Sequence, residues 1–183
     1  MDLVGWSAHE AERRLSPLGS RWAHTQGVVT RAQTLADTVA SGDRDVLIAA
    51  AYLHDVGYDP ALRSTGFHPL DGALWLRAEG QQRLAGLVAH HSGARFEAEE
   101  RGLGDALDQF AQEGSPVADL LTYCDLTTDI DGGHVTPSAR LEDIESRHGV
   151  DSDVSRGMHA AADELAELVA RTEARIARHR ILA

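Results

Sequence analysis

Apolar residues recur along this chain every three or four positions, the spacing typical of amphipathic helices. Residues 20–40 show the pattern through Trp22, Val28 and Leu35. Residues 43–57 are apolar on nearly all sides, which predicts a central, buried helix. No run alternates between apolar and polar residues as a half-buried strand would. The pattern therefore predicts an all-α fold.

Helix-end signals divide this pattern into elements. Ser7 followed by Glu10 resembles a capping box, and Ser115 followed by Pro116 is a strong helix start. Gly57 stands where a helix end favours a left-handed residue. A turn at Asp131-Gly132 predicts a small hairpin near residues 129–136.

A long, Ala-rich and charged helix is predicted from about residue 153 to residue 181. Its apolar stripe runs through Leu165, Leu168 and Val169. We expect this stripe to pack either on the body of the protein or on a second copy in a homodimer.

Composition narrows the class of protein. The chain has 183 residues, of which 43% are hydrophobic and 25% charged, and this suits a single globular domain. The net charge of -12 argues against binding to a nucleic-acid polymer or an anionic membrane, but not to a small phosphorylated molecule. With no secretory signal, no apolar stretch near ~20 residues and a single cysteine, Cys124, we predict a cytoplasmic protein.

Histidine and aspartate residues interrupt the apolar segments. Four histidines lie on such segments or at their ends: His24, His54, His90 and His91. Asp55 and Asp125 have similarly apolar neighbours, and burying an ionised carboxylate costs several kcal/mol unless a cation or hydrogen-bond donors compensate. A shared divalent metal would satisfy both residue types, and imidazole with carboxylate suits Mn, Fe, Co, Ni, Zn or Mg.

Each of these residues also has a simpler interpretation. His54 and Asp55 could cap a helix, Asp125 could pair with an arginine, and His24 could lie partly exposed on its helix. A histidine at a helix end can also interact with the helix dipole, which applies to His90 and His91.

The order of these residues resembles the HD superfamily of metal-dependent phosphohydrolases. The matching residues are His24, then His54-Asp55 in "YLHDVG", then Asp125 in "CDLTT", with "VAHHSGA" between them. The resemblance covers roughly residues 21–149 and implies a single HD-domain helical bundle, with an N-terminal and a long C-terminal helix packed on it. It implies that these four residues bind a divalent metal, with His54 and Asp55 catalytic.

The same resemblance implies a function. We expect metal-activated water to hydrolyse a small phosphorylated substrate, with a nucleotide or dinucleotide as the leading candidate. Relatives with a second ion use further histidines, here His68 and His90, with His91 serving instead of or beside His90. The cofactor is thus one or two divalent ions.

Two family features are missing. The chain has no lysine, so the Lys that many relatives carry after the doublet is absent, and the Gly-Tyr-Pro tripeptide of one subgroup does not follow "HHSGA". Phosphate binding must then fall to arginine, for which Arg95, Arg21 and Arg63 are the candidates. The alternatives are a catalytically silent HD module that binds a nucleotide or protein partner in signalling, and a helical adaptor without metal.

Overall fold

The described part of the chain folds into a series of α-helices. A computed structural model describes the backbone of residues 2–182 and the side chains of residues 2–181. Its α-helices are α1 (Leu3–Leu15), α2 (Ser20–Leu35), α3 (Arg44–Leu53), α4 (His68–Ala78), α5 (Gln82–His90), α6 (Ala94–Glu100), α7 (Gly104–Leu107), α8 (Pro116–Leu126), α9 (Pro137–His148) and α10 (Asp153–Leu182). Over this range no strand forms, which confirms the all-α fold. Nor does any helix in it have both the length and the apolar character to cross a membrane.

Helix α3 lies at the centre of the fold, as its apolar sequence predicts. It packs against α1, α2, α5 and α8. Leu47, Ala50 and Leu53 on this helix have no solvent exposure. Because α3 is held on all sides, the residues that follow its last turn are placed rigidly inside the protein.

Helix α10 covers the body with its apolar stripe. Leu165 and Leu168 are buried, and Val169 is partly buried. The helix packs on α6, α8 and α9, and it approaches α6 closely at Gly157, where an added Cβ would lie 2.7 Å from the Cα of Glu97. The stripe therefore contacts the body of the chain, one of the two partners predicted for it.

Three predictions about element ends have different outcomes. Ser115 caps α8 as predicted, since its Oγ accepts a hydrogen bond from the backbone N–H of Ala118 at 3.2 Å. The predicted cap at Ser7 is wrong, because α1 begins four residues earlier and the side chain of Asp2 caps it. The hairpin near residues 129–136 is reduced to one isolated bridge between Thr128 and His134.

The expectation for Gly57 is also wrong. Its φ angle is not positive, and it lies in a 3-10 turn, Val56–Tyr58. A Cβ at this position would lie 2.0 Å from the carbonyl oxygen of His68 and 2.6 Å from the backbone N of Gly72. Glycine is needed here for close packing, which brings the start of α4 against the end of α3.

Candidate metal centre

The end of α3 carries the histidine–aspartate doublet into the interior. His54 directly follows Leu53, the last residue of α3, and Asp55 comes next. Both side chains are buried, as are those of His24 on α2 and Asp125 on α8. Three helices that are remote in sequence therefore deliver two imidazoles and two carboxylates to one point.

His24, His54 and Asp55 each offer one ligand atom within 4.8 Å of the others and form a first group of potential ligands, with Asp125 next to His24. The Nε2 atoms of His24 and His54 lie 3.4 Å apart, and Oδ2 of Asp55 lies 3.4 Å from Nε2 of His54 and 3.9 Å from Nε2 of His24. Oδ1 of Asp125 lies 3.0 Å from Nε2 of His24. The Nε2 and carboxylate atoms thus converge from different directions.

Backbone carbonyls fix the orientation of both rings. Nδ1 of His24 lies 2.9 Å from the carbonyl oxygen of Asp129, and Nδ1 of His54 lies 2.8 Å from that of Ala51. A carbonyl oxygen only accepts, so each Nδ1 carries a hydrogen and donates it. In the neutral rings the lone pairs are then on Nε2, the atoms that face each other.

The turn after α8 reaches His24 because two glycines let it approach α2. A Cβ at Gly27 would lie 2.5 Å from the carbonyl oxygen of Gly132, and a Cβ at Gly132 would lie 2.6 Å from that of Ala23. Gly132 also has a φ of 85°, which favours glycine. The turn thereby brings the carbonyl oxygen of Asp129 to Nδ1 of His24.

A second group of potential ligands shares Asp55 with the first. Oδ1 of Asp55, the oxygen that faces away from His54, lies 3.3 Å from Nε2 of His68. Asp55, His68 and His91 each offer one ligand atom within 4.8 Å of the others. Nδ1 of His91 lies 2.7 Å from the carbonyl oxygen of Val88, which orients this ring as well. Asp55 thus belongs to both groups and would be shared if each group held an ion.

A hydrogen-bonded loop holds His68 in position. The carboxylate of the buried Asp71 accepts bonds from Ser64 Oγ at 2.8 Å, Thr65 N at 2.8 Å and Gly66 N at 3.0 Å. The ring of Tyr58 stacks on His68 with 4.1 Å between ring centroids. The chain between the doublet and His68 is thus tied to the first turn of α4.

The electrostatics favour charged carboxylates and neutral imidazoles in the second group. Burial alone would raise the pKa of Asp55, but Arg21 and His54 hold it well below its usual value. Burial alone would also raise the pKa of Asp125. The hydrogen bond and charge of His24 outweigh this effect and hold the pKa of Asp125 well below its usual value. Burial lowers the pKa of His68 strongly and that of His91 as well. These are the protonation states that bind metal ions.

The residues fit a divalent cation. Two imidazoles with their Nε2 atoms 3.4 Å apart, beside two buried carboxylates, form a set of nitrogen and oxygen donors that suits a divalent cation. Hydrogen-bonded Nδ1 atoms behind the ligating Nε2 atoms are a usual feature of metal-bound histidine. The first group can hold one ion, and Asp55, His68 and His91 a second.

Comparison with known proteins assigns the chain to a family. The family model of the HD domain matches residues 21–177, most of the chain. The protein belongs to the HD-domain family. No curated protein and no solved structure shows a significant match. The match extends beyond the predicted limit at residue 149, into α10.

Three residues predicted to act in the HD site lie elsewhere. His90 donates from Nε2 to the carbonyl oxygen of Phe110 at 2.9 Å, so its ring faces away from the cluster. Arg95 is exposed and pairs with Glu164, and its guanidinium stacks on Phe96. Arg63 is exposed on the loop before α4 and does not border the cavity at the cluster. These placements correct the prediction for all three residues.

Arg21 does lie at the HD site, but as a partner of the doublet. Its Nη1 donates to Oδ2 of Asp55 at 2.7 Å, and its guanidinium lies 4.0 Å from the ring centroid of Tyr58. The guanidinium is largely buried and borders the cavity. Arg21 therefore helps to keep Asp55 ionised, and it faces the space that a substrate would fill.

Sequence patterns did not reveal two further residues of the HD site. Ser92 donates from Oγ to Oδ2 of Asp125 at 2.5 Å, and it has a left-handed φ of 52°. Arg140, on α9, is buried with Nη2 3.6 Å from Oδ1 of Asp125. Both contacts hold the carboxylate of Asp125 toward His24. The one available signal was "HHSG", where Gly93 indicates a turn after α5.

Proposed function

We propose that this HD domain is a metal-dependent phosphohydrolase that acts on a small phosphorylated molecule, with nucleotides as the first candidates. HD domains are commonly enzymes of this class. The observation that carries the proposal is the placement of Asp55, whose two carboxylate oxygens face two separate groups of imidazoles, at 3.4 Å and 3.3 Å.

The potential ligands form two sets, one for each ion. His24, His54, Asp55 and Asp125 would hold one divalent ion, and Asp55 would share a second with His68 and His91. A divalent ion bound there activates water and neutralises phosphoryl oxygens.

The residues around the ligands maintain their charge and direction. Arg21 keeps Asp55 ionised, while Ser92 and Arg140 orient Asp125. A small cavity of about 80 Å³ lies beside them. The cluster thus combines fixed side chains with a space next to them that a phosphoryl group could enter.

Replacing Asp55 by Ala tests the proposal. Asp55→Ala removes the ligand common to both groups, so we expect loss of bound metal by elemental analysis and a fall in turnover of more than about 100-fold. Turnover is measured on a panel of nucleotides and phosphate esters with Mn, Co or Ni. Asp37→Ala is the control, because that carboxylate is exposed and pairs only with Arg44 at the surface.

Two results would contradict the proposal. Full metal content and turnover in Asp55→Ala would exclude the assigned ligand. Tight nucleotide binding by the metal-loaded wild type without turnover on any substrate would instead indicate a silent HD module.

A further inference from the structure

Helix α9 presents basic residues to the cavity beside the metal ligands. Arg140, Ile144, Arg147 and His148 all border this cavity. They occupy positions i, i+4, i+7 and i+8, which lie on one face of a helix. All twelve residues of α9 are described, and the single buried one is Arg140. A helix normally buries apolar residues, so a buried guanidinium indicates a role in the site.

Arg140 is close to the metal ligands. Its Nη2 lies 3.6 Å from Oδ1 of Asp125, and its side chain is 6% exposed. A buried guanidinium needs anionic partners. A phosphoryl group in contact with an ion at Asp125 would lie within reach of this guanidinium, whose planar fork matches phosphate oxygens.

Asp143 brings a second guanidinium to the same place. Arg140 Nη1 donates to Oδ2 of Asp143 at 3.2 Å, and Arg147 Nη2 donates to the same oxygen at 2.8 Å. The carboxylate of Asp143 therefore holds the two guanidinium groups side by side. A guanidinium group has five N–H donors, and the contacts with Asp143 and Asp125 use only some of them.

The surroundings of His148 confirm that positive charge collects here. Partial burial lowers the pKa of His148, and Arg147, Arg21 and Arg140 lower it further, although Asp143 opposes them. Three guanidinium groups thus act on one ring, in a chain whose net charge is -12. The cavity also borders Asp55, Asp125 and Glu97, so the positive charge collects on the side of the cavity that α9 forms, opposite the proposed metal ligands.

The size of the cavity restricts which phosphate can enter. Its volume, about 80 Å³, is far below the roughly 300–1,000 Å³ of clefts that enclose whole drug-sized ligands. Apolar side chains of Leu126, Ile144 and Met158 form part of its lining. The enclosed part of the cavity is of a size that suits one phosphoryl group, and groups attached to that phosphate would lie toward its open side.

We propose that α9 is the phosphate-recognition element of this HD domain and restricts it to terminal phosphates. Arg140 contacts the terminal phosphate beside the metal ligands, Arg147 contacts its outer oxygens, and Asp143 is a positioning residue for both. The substrates are phosphate monoesters or molecules that end in a phosphoanhydride, and the rest of the molecule lies outside the cavity. This proposal rests on the proposed function.

The reaction on such a substrate is hydrolysis. The oxygen of water forms a bond to phosphorus, and the bond from phosphorus to the leaving oxygen breaks. One proton of the water goes to the leaving oxygen, and the other stays with the phosphate.

Paired esters with the same leaving group test the substrate class. In protein loaded with Mn²⁺, p-nitrophenyl phosphate should be hydrolysed with a kcat/KM at least about 100-fold higher than bis(p-nitrophenyl) phosphate, because only the monoester offers a terminal phosphate. A diester that is hydrolysed equally well or better overturns the proposal.

Phosphate binding tests the role of α9 without requiring turnover. Titration of the Mn²⁺-loaded protein with inorganic phosphate in a calorimeter should show about tenfold weaker binding in Arg147→Gln, the order expected for one charge-assisted hydrogen bond. The side chain of Arg147 is 30% exposed, so this variant is expected to fold. Arg83→Gln, in an exposed ion-pair network with Asp43 and Glu113, should bind phosphate like the wild type.

The outcomes separate this inference from the proposed function. Unchanged phosphate affinity in Arg147→Gln overturns the role of α9 even if the protein hydrolyses phosphate esters. Weakened affinity in that variant, with no hydrolysis of either ester or of any nucleotide in the panel, supports phosphate recognition by α9 and contradicts the proposed function instead.

Discussion

At the scale of single residues, two adjacent histidines have opposite surroundings. His91 is buried and faces Asp55 and His68, whereas His90 points to the carbonyl oxygen of Phe110. Helix α5 ends at His90, and the backbone of His91 is extended, so the two side chains leave the chain in different directions. The structure selects His91 for the second group.

Separate replacement of the two histidines should affect metal binding differently. We expect His91→Ala to weaken binding of a second ion by about 10- to 100-fold, because it removes a ligand that Val88 orients. His90→Ala should leave metal stoichiometry unchanged. Calorimetric titration with Mn²⁺ measures both, and equal losses in the two variants would contradict the placement of His91.

The sequence carries information about some of these residues and not about others. His54, Asp55 and Asp125 stand out because charged or polar groups in apolar helices need a reason to be there. Arg140 does not stand out, since it is one of 17 arginines and lies on a polar helix. Its burial depends on how α9 returns over α8, and no local pattern encodes that path. The metal-binding roles themselves remain predictions.

At the scale of elements, the turn after α8 does more than reverse the chain. It packs on α2 through Gly27 and Gly132 and places a carbonyl oxygen on Nδ1 of His24. The orientation of a ligand on one helix is therefore set by a loop more than 100 residues later.

A methyl group at position 27 should disturb this arrangement. The Cβ of Gly27→Ala would lie 2.5 Å from the carbonyl oxygen of Gly132, so the turn must move away and His24 loses its partner. We expect metal affinity to fall by about 10- to 100-fold while the far-ultraviolet circular dichroism stays helical.

Gly42→Ala is the matched control for this variant. An added Cβ at Gly42 meets no atom within 4 Å, so metal affinity should not change. Wild-type affinity in Gly27→Ala would show that the turn does not orient His24.

Regular elements are easier to predict than their connections. Apolar periodicity places the central helix, and Ser115-Pro116 places the start of α8, because both signals are local. The turn near residue 129 and the conformation of Gly57 depend on contacts with distant backbone. A local sequence pattern cannot distinguish a glycine needed for its φ angle from one needed for space.

At the scale of the whole molecule, the cluster affects stability. Asp55 and Asp125 are buried together and held charged by neighbours from α2 and α9. An ion that binds the folded cluster and not the unfolded chain stabilises the fold by mass action.

Metal should therefore raise the melting temperature. At a free Mn²⁺ concentration 100 times the Kd, we expect stabilisation by about 2.7 kcal/mol, which corresponds to roughly 5–10 °C for a chain of this size. Scanning calorimetry with and without a chelator measures the shift. Asp55→Ala should show none, and a shift of equal size in that variant would place the stabilising ion elsewhere.

The contact between α10 and α6 lies at the edge of the cavity. Gly157 touches the backbone of Glu97, and both Glu97 and Met158 border the cavity. Any side chain at position 157 would push α6 and α10 apart. The spacing of two helices at the edge of the cavity thus depends on the absence of one carbon atom at position 157.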